Sequence, residues 1–127
     1  MSGKKRDWVC SEEAVRAAAV NSREAAITVG GRYISTSDAE EDAMVSVLGN
    51  AGLNLSDAGQ CEIVASVAVP ATKQSILEAI ELHRRLASTH DYRLQAVEVG
   101  NVEDGSAAVI ASEHGYIPWW QVEANGS

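Results

Sequence analysis

The chain has no phenylalanine, two prolines, two cysteines and only 5% aromatic residues in 127 positions. Each scarcity excludes something. Without Phe, the core must be assembled from Val, Ile, Leu, Met and many Ala, so helices can lie close to their neighbours. Cys10 and Cys61 allow at most one intramolecular disulfide, which excludes a disulfide-built scaffold. Cys61 opens an apolar run, and free cysteine is among the most buried residue types, so a core position is expected for it. No apolar run approaches the roughly 20 residues of a membrane span. The basic start Met1–Asp7 is not followed by an apolar segment before Glu12-Glu13, so no signal peptide is expected. These absences predict a soluble protein of the reducing cytoplasm.

Positive charge is also scarce, and unevenly so. Ten Lys and Arg against eighteen Asp and Glu leave a net charge of −8. Between Tyr33 and Thr72 stand Asp38, Glu40, Glu41, Asp42, Asp57 and Glu62, with no Lys or Arg among them. From Leu94 to Ser127 the charged residues are Glu98, Glu103, Asp104, Glu113 and Glu123. Such a surface repels a phosphate backbone, so direct nucleic-acid binding is not expected. It can attract a basic protein surface, although acidic stretches more commonly just keep a domain in solution.

What is present is ordinary globular composition, 46% hydrophobic and 22% charged, at the length of one domain. Residues 1–10 read as a loose N-terminal segment and 11–127 as a single α/β domain. Ser11 caps a helix from Glu12 to about Ser22. Two β-prone runs flank Gly30-Gly31 and predict a hairpin, with Ile27 opposite Ile34. A second helix runs from about Ala39 to Asn50, with capping-box patterns at Ser37/Glu40 and Asp38/Glu41 and a stop at Gly52-Leu53. Asn54 to Gln60 reads as a polar loop. Cys61 to Val69 is a strand ended by Pro70, apolar enough for mid-sheet.

The clearest element is an amphipathic helix from about Thr72 to Ser88. Ile76, Ala79, Ile80, His83 and Ala87 share one stripe, and Gln74, Glu78, Glu81 and Arg85 share the opposite one. Arg84-Arg85 is the main basic spot of the folded region, a plausible contact for the acidic face of a second copy. Strands follow at Tyr92–Val99 and Ala107–Ala111, then the aromatic tail Tyr116-Ile117-Pro118-Trp119-Trp120. The order α-β-β-α-β-α-β-β predicts an α+β fold. Its single-layer mixed sheet has about five strands, with three helices mainly on one face. The unit Cys61–Val99 is expected to be a right-handed parallel crossover.

Motifs for chemistry are weak. Gly30-Gly31 lacks the spacing and the following Lys of a phosphate loop. His83, His90 and His114, with Glu113, contain metal-ligating residue types, but none of the tight spacings of zinc sites. His83 reads better as a packed helix residue, and no metal or cofactor is expected. Cys61 with His83 is the remaining nucleophile–base candidate, and Glu62 beside the thiol argues against it. Ser106, Ser112 and His114 lie in no nucleophile elbow. The adjacent acids Glu12-Glu13, Glu40-Glu41 and Glu103-Asp104 point different ways and do not form an acid–base pair.

The reading is therefore a non-catalytic, acidic binding protein, an inhibitor or adaptor acting on a basic protein partner, of the kind whose surface can also hold nucleic acid. It is expected to be homo-oligomeric, through an open sheet edge or the Trp-rich tail. Asp38, Glu40, Glu41, Asp42, Glu103 and Asp104 would supply the electrostatics, with Trp119 and Trp120 as anchors. The alternative is a small-molecule or nucleotide pocket between the sheet and the aromatic tail, lined by His83, Tyr92, Tyr116 and Trp119. An enzyme using His83 and Cys61 comes third.

Overall fold

The computed structural model describes residues 8–22, 25–59, 61–100 and 107–118. Its strands are β1 (Trp8–Cys10), β2 (Ala26–Ile34), β3 (Asn54–Gly59), β4 (Glu62–Pro70), β5 (Arg93–Val99) and β6 (Ala108–Glu113). Its helices are α1 (Glu12–Asn21), α2 (Asp38–Asn50) and α3 (Lys73–His90). The strands form one sheet in the order β1-β6-β5-β2-β4-β3, with every pair antiparallel. The fold is α+β, as expected; among the described residues it has six strands instead of about five, and the sheet expected to be mixed has no parallel neighbours.

The helices start where side-chain caps permit. Ser11, Ser37 and Thr72 each accept a hydrogen bond from the backbone N–H three residues on. Helix α2 ends in a Schellman motif: Gly52 adopts φ +89, its N–H donates to Gly49 and the Leu53 N–H donates to Leu48. Helix α3 ends the same way two residues later than its stripe predicts. Asp91 takes the left-handed position usually held by Gly, and Tyr92 N–H donates to the Ala87 carbonyl.

Several sequence expectations are corrected. The hairpin about Gly30-Gly31 does not form; β2 runs straight through both glycines, paired with β4 on one side and β5 on the other. Ile27 therefore faces Val69 and Ile34 faces Glu62, not each other. The polar loop Asn54–Gln60 is largely the edge strand β3, whose outer side has no partner strand among the described residues and so tolerates polar residues. Strands β4 and β5 do run in the same direction around α3, but β2 is inserted between them. Likewise β4 separates β2 from β3, so β2-α2-β3-β4-α3-β5 forms two interleaved split β-α-β units, the ferredoxin-like connectivity. Finally, Trp8–Cys10 of the segment expected to be loose adds β1 to the sheet beside β6.

The three helices and one face of the sheet share a single core. Val15 of α1, Met44 and Leu48 of α2, and Ile76, Ala79, Ile80 and Ala87 of α3 pack with Val29, Tyr33, Ile63, Ala65, Leu94, Val97 and Val99. The topology also settles the cysteines. Cys10 lies on the first strand of the sheet and Cys61 at the turn before the fifth, both exposed. Four strand spacings separate them by roughly 19 Å, far beyond disulfide reach. Cys61 is not a core residue; it adopts φ 63 in the turn between β3 and β4.

Candidate functional site

Successive residues of a strand point to opposite faces, and β2 makes this consequential. Gly31 and Tyr33 face the helices; Gly30 and Arg32 face away. Each pair meets a different kind of polar burial.

On the face away from the helices, Arg32 is only 7% exposed. An arginine in that position must be paired, because an isolated buried charge is prohibitively costly. Its Nε and Nη2 donate to the two carboxylate oxygens of Glu98, at 3.1 and 3.2 Å, in a fork-to-fork arrangement. Its Nη1 donates to Glu62 Oε1 at 3.1 Å. Glu98 sits beside Gly30 across β5, and Glu62 beside Ile34 across β4, so the two carboxylates flank the guanidinium diagonally. Tyr116, carried over this face by the segment after β6, makes a long hydrogen bond to Glu98 Oε2 at 3.5 Å. Burial alone would lower the Arg32 pKa. The hydrogen bonds and attraction to Glu98, aided by Tyr116 and Glu62, outweigh it and hold the value above the ordinary one. Burial, then the Glu98 carboxylate, push the Tyr116 phenol up to about 12, so it keeps its proton.

On the helix face, His83 of α3 is fully buried. Its ring lies directly over Gly31; a Cβ there would stand 2.5 Å from Nδ1, so no larger residue fits. Nδ1 hydrogen-bonds the Tyr33 hydroxyl at 2.9 Å, and the two rings meet at 57°. Nε2 has no hydrogen-bond partner among the described residues. Burial drives the His83 pKa down from 6.5 to about 4; the Val29 backbone, which favours the protonated ring, opposes this only in part. The imidazole is neutral near pH 7. Burial also raises the Tyr33 pKa, which keeps that hydroxyl protonated.

The residues expected to act together are mostly apart. His83 lies beneath the sheet among the helices, whereas Tyr116 crosses the other face, so the two cannot line one pocket with Tyr92, which stacks on His90 at the end of α3. Trp119 and Trp120, the expected anchors, lie outside the described residues, as do Glu103 and Asp104. His83 and Cys61 form no nucleophile–base pair: the ring's side-chain partner is Tyr33, and the thiol is exposed in a turn. His90 is exposed at the helix end, His114 sits in the turn after β6, and Glu113 pairs with Arg93 at 2.9 Å. Among the described residues no three His, Cys, Asp or Glu side chains converge as a metal would require.

The acidic group at the start of α2 is brought together. Asp38 and Asp42 are exposed and Glu41 half-buried within the first turns of the helix, where the dipole favours carboxylates. None of the three is in an ion pair among the described residues. Glu40 is already engaged: its Oε1 accepts from Thr36 N–H at 2.7 Å and from the Thr36 hydroxyl at 3.0 Å. The Arg32 cluster was not foreseen. Its signal was a lone Arg inside the β-prone run Arg32–Ser35 of an acidic chain, but its partners lie 30 and 66 residues away.

Comparison of the chain with protein families, curated proteins and solved structures finds no match. No helix among the described residues is long and apolar enough to cross a membrane.

Proposed function

We propose that the chain is a non-catalytic binding protein that engages a basic surface of another protein through the acidic start of α2. The observation behind this reading is that Asp38, Glu41 and Asp42 stand together at one helix start with no ion-pair partner among the described residues. Charges held on a helix are better placed for recognition than charges on a loop. The charges of Arg32, Glu62 and Glu98 are in contrast spent on one another and offer a partner little. An inhibitor or adaptor role would follow from covering such a basic surface, and self-association would then use a different face.

The test is retention of a partner from nucleic-acid-depleted extract by the immobilised chain at low and high salt. The wild type is compared with the D38N/E41Q/D42N variant, with partners identified by mass spectrometry. The reading expects one partner held at low salt, released at high salt and missing from the variant. The same partner bound equally at both salts and by the variant contradicts it.

A further inference from the structure

We propose that His83 is an acid-sensitive latch: protonation of its imidazole releases α3 from β2 and opens the domain on its helix side. The geometry carries this. His83 sits on the inward stripe of α3 between Ala79, Ile80 and Ala87, with none of its surface reaching water. A neutral imidazole has one donor and one acceptor nitrogen. Tyr33 satisfies Nδ1, and Nε2 has no partner among the described residues. A protonated ring would present N–H donors at both nitrogens and a full charge inside an apolar core.

No acidic side chain among the described residues faces the ring to receive that charge; the Val29 backbone favours the protonated form, but burial outweighs it. From β2 the titratable neighbour is Tyr33, which stays protonated. The helix-facing side chains of β4 and β5 in the core are Ile63, Ala65, Leu94, Val97 and Val99. Helix α1 contributes Val15 to the core and α2 contributes Met44 and Leu48, while the charged Glu12, Glu13 and Arg16 of α1 are exposed. On α3 itself Glu78, Glu81, Arg84 and Arg85 are exposed. Glu62 and Glu98 lie on the other side of the sheet, held by Arg32. The ring also cannot retreat towards β2, because it already rests on the Gly31 backbone. Hydration of a charged His83 therefore requires α3 to move.

The direction with pH follows by linkage. The closed form binds a proton at His83 only near pH 4, whereas an opened, hydrated imidazole binds it near the ordinary 6.5. Between those values the opened form holds the extra proton, so closure is favoured at high pH and weakens as pH falls. The full shift corresponds to a few-hundred-fold change in the closed-to-open ratio, on the order of tenfold per unit.

The test combines two measurements on the intact chain. An NMR titration follows the His83 ring, and native-state hydrogen exchange follows the α3 amides, corrected for intrinsic exchange, from neutral pH to about 5. The latch predicts a ring that stays neutral while the domain is closed. It also predicts α3 protection that falls about tenfold per pH unit below about 6.5, with uptake of about one proton per opening. H83Q, polar but uncharged, removes this pH dependence of opening even if it lowers protection overall. Should H83Q not fold, proton uptake in the wild-type chain still decides the question. A folded-state His83 that titrates at its ordinary value with α3 protection unchanged overturns the proposal, as does an H83Q variant with the wild-type pH dependence.

Discussion

The two faces of β2 bury polar side chains in opposite ways. Arg32 enters the far face as a full charge and is surrounded by carboxylates, so every one of its contacts is charge-assisted. One residue on, Tyr33 enters the helix face and meets His83, a neutral pair with one ring nitrogen left over. The first arrangement is stable only while the charges of Arg32 and Glu98 are matched. The second is stable only while it stays uncharged. A strand thus separates two electrostatic regimes across the thickness of a single backbone.

The largest test of this contrast is R32A. Removing the guanidinium strands Glu98, whose side chain is 13% exposed, and the expected loss is about 3–5 kcal/mol in urea unfolding. Adding E98A should recover part of that loss, since the stranded carboxylate is then gone. Equal or greater damage in the double variant would mean that packing, not charge matching, dominates the cluster. On the helix face, Y33F removes one hydroxyl and leaves Nδ1 of His83 unpartnered as well; a loss of about 2 kcal/mol is expected. A neutral result there would show that the hydroxyl does little to hold α3. The smallest effect belongs to E62Q. The Glu62 side chain is 33% exposed and shares Arg32 with a better partner, so the expected change stays below about 1 kcal/mol.

How much of this was legible in the sequence depended on how local its causes were. Helix α3 was readable because its stripe from Ile76 to Ala87 and its Thr72 cap are properties of one contiguous segment. The caps of α1 and α2 and the Gly52 stop were readable for the same reason. Gly30-Gly31 was misread because its cause is remote. Gly31 is required by a histidine on a helix far along the chain, not by a turn. Strand β3 was missed because an edge strand needs only one partner and can be polar, so its pattern resembles a loop. The position of Cys61 in the turn depends on that missed pairing. Of the candidate site, the acid cluster at α2 was visible as composition. The Arg32 cluster was not, because strand order, which one sequence does not state, brings Glu62 and Glu98 to the same arginine.

The strand running unbroken through both glycines, with its two faces differing as described, is tested most directly by comparing Gly31→Ala with Gly30→Ala. A Cβ at position 31 meets His83 Nδ1 at 2.5 Å, whereas one at position 30 meets the Val64 Cγ1 at 3.1 Å, a contact a side chain can yield. The account predicts that G31A loses about 2–3 kcal/mol in urea unfolding, while G30A stays within about 1 kcal/mol of the wild type. Similar losses at both positions, as a turn requiring positive φ at each glycine would give, contradict it.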